Sequence, residues 1–290
     1  MTVVIFGAAG QDSFYLTQLL QQQGCEVIAV SRSGDFLHTD ITDHAQVFEL
    51  IKTHQPAYIF HFAANSTTRH ETLFENHASI STGTLNILEA VKNSSPHTKV
   101  FISGSGLQFK NEGRPIKETD PFEARDAYSV SRIQSVYAAR YYRSLGIKAY
   151  VGYFFNHDSP QRTERHMCKK ISDAAKRIAK GSDEKLLIGD TSTIKEWTFA
   201  GDVVKAVLML LQQDTIFEAN IGSGKGYSIE DWLQECFSFI GKDWRDYVVK
   251  DENFKPAYQH LVSDPSLIFS LGWEPEISFH ELAKMLMKEN

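Results

Sequence analysis

The first half of the chain alternates between two hydrophobic periods. Short unbroken apolar runs, Val3-Val4-Ile5-Phe6, Val27-Ile28-Ala29-Val30, the stretch 57–64 and Val100-Phe101-Ile102, are too short for helices and read as buried strands. Between them lie amphipathic stretches that predict helices over 14–23, 44–53, 80–93 and about 128–145, and the strand 149–155 closes the series. In the third of these helices Leu85, Leu88 and Val91 recur three apart and predict its buried face. Strand and helix in strict succession give an α/β class: a doubly wound parallel sheet over residues 1–155, with helices on both faces.

Beyond Asn156 the alternation weakens. A basic helical segment at 169–180, a short strand at 186–190 and a helix at 202–212 follow. A further helix opens at Ser228, with Asp231 completing its cap, and a final amphipathic helix starts near Phe279. This half, 156–290, is expected to form a smaller α/β substrate lobe over the strand ends, with the chain returning to the first domain around 195–212.

Composition narrows the function classes. A net charge of −6 argues against a broad nucleic-acid surface or an acidic-membrane surface. The 3 cysteines form no CxxC pair, which points to a reducing, cytoplasmic setting. No apolar run approaches the ~18 residues of a membrane helix, and the apolar start reads as the first strand rather than as a signal peptide. His70 and His77 lack the four-residue spacing of a zinc helix, so no metal site is expected. Gly222-Ser223-Gly224-Lys225 lacks both the first glycine and the final Ser or Thr of a phosphate loop, and reads as a turn.

The candidate chemistry begins at the first strand. Gly7 permits a tight turn at its end, Gly10 lets a pyrophosphate approach the backbone, and the helix start that follows offers free N–H groups to it. The third position of this glycine series is Ser13, still small enough for helix to pack on strand. These features make the first domain a Rossmann domain that binds a dinucleotide. After the second strand the usual acidic residue is absent and Arg32 stands nearby, which favours the 2′-phosphate of NADP(H) over the free hydroxyl of NAD(H). Asp40 and Ile41 are candidates to line the adenine pocket. Further on, Tyr128 and Arg132 are four residues apart on one helical face. A cation beside a phenol favours its ionised form, which a base for hydroxyl oxidation requires.

With these residues in view, the sequence resembles the extended short-chain dehydrogenase/reductases that remodel nucleotide-diphosphate sugars, and most closely the GDP-mannose 4,6-dehydratase group. The resemblance runs nearly end to end. It rests on Gly7-x-x-Gly10-Gln11-Asp12, Phe62-Ala63-Ala64, Gly83-Thr84-Leu85-Asn86, Phe154-Phe155-Asn156-His157-Asp158-Ser159-Pro160-Gln161-Arg162, Lys195-Glu196-Trp197, Asp202-Val203, Asp264-Pro265 and Leu271-Gly272-Trp273. It implies hydride exchange between sugar C4 and a nicotinamide, with Tyr128 exchanging the C4 hydroxyl proton. Gln11, Asp12, Ala63 and Ala64 would join Gly7 and Gly10 at the cofactor, with Tyr128 and Arg132 also contacting it. Asn156, Arg162, Lys170, Lys195 and Lys255 would face a nucleotide-diphosphate hexose, a GDP-sugar by preference. A homodimer formed through the helices near Ile80 and Tyr128 is the family's usual assembly. Only Gly34 to Thr39 separates Ser33 from Asp40, so the longer segment that reaches a neighbouring subunit in some relatives is absent.

The departures are chemical. The group's S-T-x-E-x-Y-G reads Ser103-Gly104-Ser105-Gly106-Leu107-Gln108-Phe109 here, placing Gly104 at the Thr and Gly106 at the acid/base Glu. Ser105 supplies a hydroxyl if the loop shifts by one residue. The Lys of Y-x-x-x-K is Arg132, which holds charge but cannot pass a proton on. Elimination across C5 and C6 needs the missing acid/base, whereas hydride transfer at C4 does not. The expected activity is therefore that of a 4-keto reductase or C4 oxidoreductase. A dehydratase-type lyase and a non-catalytic NADP(H)-binding relative stand as the alternatives.

Overall fold

The computed structural model describes residues 1–288. The chain opens with β1 (Thr2–Phe6), α1 (Gln11–Gln22), β2 (Glu26–Ser31), β3 (Leu37–His38), α2 (His44–His54) and β4 (Tyr58–His61). The first half continues through α3 (Leu73–Asn76), α4 (Gly83–Ser94), β5 (Lys99–Ser105), α5 (Ala127–Ser144) and β6 (Ala149–Phe154). Then come β7 (His157–Asp158), α6 (Met167–Ala179), β8 (Leu186–Ile188), β9 (Ile194–Lys195), β10 (Thr198–Phe199), α7 (Ala200–Leu211) and β11 (Glu218–Ile221). The chain closes with β12 (Tyr227–Ser228), α8 (Ile229–Ser238), β13 (Val248–Lys250), β14 (His260–Leu261), α9 (Ser266–Ser270) and α10 (Phe279–Met287).

Seven of the strands form one parallel sheet, in the order β11-β6-β5-β4-β1-β2-β3. The unbroken apolar runs follow from cover on both faces. Val4 and Phe6 join the core under α2, α4 and α5, while Val3 and Ile5 join a second core under α1 and α7. Strand order reverses between β1 and β4, and an open α/β sheet binds ligands in the crevice at such a point.

Two features differ from the sequence expectation. Leu85 is 46% exposed, and the buried face of α4 is Thr84, Ile87, Leu88 and Val91. That set follows the i, i+3, i+4, i+7 pattern of a helix stripe, and Leu85 falls one residue, about 100°, off it. The second half also rejoins the first domain over a longer stretch than the expected 195–212. α7 packs on α1, and β11 extends the large sheet beside β6. The remaining lobe packs α6, α8 and α10 around Trp197 and Trp232, whose rings stack at 4.6 Å. Asp202 joins the two parts: its carboxylate accepts from the backbone N–H groups of Glu276 (2.9 Å) and Ile277 (2.8 Å).

Candidate active site

At the end of β1 the turn is fixed by sterics. Gly7 has φ +91°, and a Cβ there would lie 2.5 Å from the Ala63 nitrogen. The Ser13 hydroxyl donates to the Gly7 carbonyl at 2.8 Å, so the third small residue of the series ties the turn instead of merely fitting under it. Gly10 caps α1 with no side-chain hydrogen bond. The Gly7 and Ala8 N–H groups bond to Val30 O and Gly10 N–H to Gly7 O, each at 3.0 Å, and the next bonded amide is Phe14, to Gly10 O at 3.1 Å, which leaves the N–H groups of 11–13 directed out of the helix end. This is the donor set a pyrophosphate needs.

Gln11 and Asp12 are committed elsewhere. The Gln11 amide donates to His157 O (3.2 Å) and accepts from the Ser159 hydroxyl (2.8 Å). Asp12 Oδ1 lies 2.9 Å from His157 Nε2, while His157 Nδ1 lies 2.8 Å from Phe155 O. Acceptors at both ring nitrogens require both to carry protons, so the ring is an imidazolium. Burial pushes the His157 pKa down, but the Asp12 charge and hydrogen bond bring it above the ordinary value. Burial pushes Asp12 up, and His157 and Arg162 together hold it below the usual carboxylate range. Two motifs far apart in sequence, Gly10-Gln11-Asp12 and His157-Asp158-Ser159, thus form one clasp.

Arg32, at the end of the second strand's turn, is exposed and lies 3.5 Å from Glu75. Asp40 Oδ1 accepts from the Thr42 N–H (3.0 Å) and hydroxyl (2.8 Å), closing its own turn. Ile41 is a core residue: it is buried, and a Cβ on Gly83 would come within 3.0 Å of it. Asp40 and Ile41 thus stand at the end of the turn after β3, with the Ile41 side chain packed under α4.

A cleft of about 220 Å³ opens where β4, β5 and β6 end. Ser103, Ser105, Leu107, Tyr128 and Arg132 line it together. The Arg132 guanidinium lies 4.9 Å from the Tyr128 ring centroid and donates to the Ser103 carbonyl and, at 2.8 Å, to its hydroxyl. Its Nε is buried with no partner among the described residues.

The loop register differs from the first alignment. Ser103 and Ser105 face the cleft, so Gly104 between them faces the other way. A Cβ on Gly104 would meet Tyr153 at 2.7 Å, and one on Gly106 would meet Phe155 at 2.8 Å. A side chain at Gly104 would therefore point away from the cleft, and one at Gly106 would press on Phe155. Moving the family pattern one residue on places the Thr at Ser105, the Glu at Leu107 and the aromatic at Phe109, which is buried against Tyr153 and Phe122. The hydroxyl is retained and the acid is a leucine.

Across the cleft stand Asn156, Arg162, His166, Cys168, Lys195 and Tyr258. Asn156 Oδ1 and Arg162 Nε are buried and have no hydrogen-bond partner among the described residues, and the Lys195 ammonium lies 4.4 Å from the Trp197 ring centroid. Burial first, and then Arg162, push His166 down to about 4, so this ring is neutral. The cleft's carboxylates are both engaged: Asp12 by His157, and Asp158 by the Cys168 thiol (2.8 Å) with Arg162 at 3.6 Å. Two expected substrate lysines lie outside this lining. The Lys170 ammonium donates to Leu187 O at 2.7 Å, and Lys255 is exposed. A lysine's charge says nothing of the direction its helix turns it, which packing against β8 decides. Sequence reasoning missed Ser66, Thr67, Thr68, His166, Cys168 and Tyr258. The polar run Ser66-Thr67-Thr68, just past the end of β4, was a signal that could have been read; the others carry no local signal.

A family model for GDP-mannose 4,6 dehydratase matches residues 4–286. The chain belongs to the GDP-mannose 4,6-dehydratase family. It is 32% identical to "GDP-mannose 4,6 dehydratase 2" of Arabidopsis thaliana, over 99% of this chain and 86% of that relative. Among solved structures it is similar to a UDP-glucose 4-epimerase of Thermotoga maritima with UDP-glucose, at TM-score 0.89 and 21% identity, covering 99% and 97% of the two chains. It is likewise similar to the Pseudomonas aeruginosa protein RMD complexed with NADPH, at TM-score 0.86 and 18% identity, covering 99% and 96%. This family member keeps the fold throughout and departs from the dehydratase pattern in the loop after β5.

Proposed function

We propose that this protein is an NADP-dependent enzyme that transfers hydride at C4 of a nucleotide-diphosphate hexose, GDP-linked by preference, without eliminating water. One observation carries the reading: Ser105, Tyr128 and Arg132 line one cleft in which the acid position of the family is Leu107. The residues fit a nicotinamide dinucleotide, because the amides of 11–13 are free for its pyrophosphate and the orphaned Arg132 Nε suits a ribose hydroxyl. When bound, the nicotinamide supplies or accepts the hydride. Tyr128 exchanges the C4 hydroxyl proton, Ser105 shares a hydrogen bond with O4, and Arg132 holds positive charge over the phenol ring. Asn156, Arg162 and Lys195 face the diphosphate, and Arg32 favours the 2′-phosphate of NADP(H). Helices α4 and α5 leave Leu85, Tyr137 and Tyr141 exposed by 46%, 57% and 60%, a surface that suits homodimerisation, with mass by light scattering as its check.

Family membership favours a second reading, dehydration, and one assay separates the two. A panel of GDP-, UDP- and dTDP-hexoses and their 4-keto forms is incubated with NADP(H) or NAD(H), and products are read by mass. The expected result is a nicotinamide absorbance change with no loss of water, reduced about 10²- to 10⁴-fold by Tyr128→Phe. Water-lost product from GDP-mannose at an ordinary enzymatic rate would overturn the redox-only reading.

A further inference from the structure

The second lobe carries an open groove of about 430 Å³, within the roughly 300–1,000 Å³ of small-molecule sites. It lies where α6, α8 and α10 end, and it shares no lining residue with the cleft. Its floor is apolar. Ala179 and Phe239 are exposed there, and Ile240 and Met287 rest on the core that holds Ile178, Phe237 and Leu286. Its rim is four lysines, Lys176 and Lys180 at the end of α6 and Lys284 and Lys288 at the end of α10. Each pair is spaced four apart, so each bank sets two like charges on one helix face, which works against the helix unless an anion answers them. Asp173 answers Lys176 at 2.8 Å, whereas Lys284 and Lys288 form no ion pair among the described residues. Glu281, the acid of α10, is turned to the helix start, where it accepts from the Ser278 N–H (2.9 Å) and hydroxyl (2.7 Å).

Lysines at helix ends also offset the helix dipole. The end carbonyls here are already met by the turns that follow: Gly181 N–H donates to Ile178 O (3.0 Å), Gly241 N–H to Ser238 O (3.2 Å) and Lys288 N–H to Lys284 O (3.1 Å). The dipole accounts for positive charge at this end of the lobe, but not for an uncovered apolar floor between two charged banks. An anion with an apolar tail answers both features. Only 8 residues line the groove, too few for a stable protein partner, which takes about 20–30 a side. A membrane-surface helix buries a protruding apolar face, and this floor is recessed between its lysines.

We infer that the groove is a second ligand site, for a single-chain amphiphile of the acyl carboxylate class. Its chain lies on Ala179, Phe239, Ile240 and Met287, and its carboxylate meets Lys284 and Lys288. The inference is independent of the chemistry at C4.

The test titrates decanoate, decanol and acetate into the intact protein by calorimetry, with sedimentation on phosphatidylglycerol vesicles beside it. Decanoate is expected to bind one per chain. Decanol keeps the tail without the charge and acetate the charge without the tail, and each is expected to bind at least about tenfold more weakly. Lys284→Glu combined with Lys288→Glu is expected to weaken decanoate at least about tenfold at an unchanged melting temperature. If the reversed charges disturb α10, Lys284→Gln with Lys288→Gln is expected to show the same loss. No binding of decanoate, equal binding of decanol, or decanoate binding untouched by the lysine variants overturns the site. Sedimentation with the vesicles in the absence of decanoate binding overturns it in favour of a membrane surface.

Discussion

The turn after β1 and the loop after β5 sit on neighbouring sides of one crevice and are built on different principles. The first is held by backbone sterics and redundancy. Gly7 has no room for a Cβ, Ser13 ties the Gly7 carbonyl, and Gln11 and Asp12 rivet the turn to residues 157–159. The second is defined by which way side chains point, and a shift of one residue changes its chemistry. Gly104 faces Tyr153 and Gly106 has no room beside Phe155, while Ser105 and Leu107 present their side chains to the cleft. A phosphate cradle made of backbone survives changes in its neighbours. An acid/base site made of one side chain is lost with a single substitution.

The largest expected effect breaks the cradle. Gly7→Ala combines a left-handed φ with a Cβ pressed on the Ala63 backbone, and should lower stability by more than about 3 kcal/mol. Denaturant titration with and without NADP⁺ checks it, and a wild-type midpoint would show that the turn is not rigid.

An intermediate effect concerns acid. Burial, then the Arg132 charge, hold His61 down at about 3, and His166 stands at about 4. Below the ordinary histidine value near 6.5 the unfolded chain binds protons that these two folded rings refuse. The contribution of these two rings is therefore full above about 6.5, falls as pH drops from there toward the depressed values at up to about 1.4 kcal/mol per pH unit for each ring, and levels off below them. Thermal unfolding between pH 7 and 5 should show this decline, and His166→Phe should flatten part of it. A flat profile in the wild type would mean that the rings are not held neutral.

The smallest effect lies on the side-chain half. Arg132→Lys keeps a cation beside Tyr128 and a donor for Ser103, and restores a group that can pass on a proton. It should preserve or raise kcat, within about tenfold. A loss as large as that of Tyr128→Phe would show that the guanidinium's geometry, rather than its charge, is required.

The α/β alternation, the glycine turn and the Tyr128–Arg132 pair were legible in the sequence because each is a local pattern. Val3-Val4-Ile5-Phe6 announces a strand covered on both faces, and a Tyr and Arg four apart must share a helix face. Leu85 was not legible, since it is apolar and only the neighbouring packing decides whether it is covered. Lys170 and Lys255 carried a suitable charge, yet whether a lysine reaches the cleft is a property of packing.

The sequence by itself determined the sheet, its glycine cradle and the family, because periodicity and backbone sterics are written in consecutive residues. Only the tertiary structure decided the register of the loop after β5. A strand turns alternate residues to opposite faces, so which of Gly104 and Ser105 meets the substrate depends on where Tyr153 and Phe155 fill space. The same packing joined Asp12 to His157 across the crevice and left Leu107 facing the cleft.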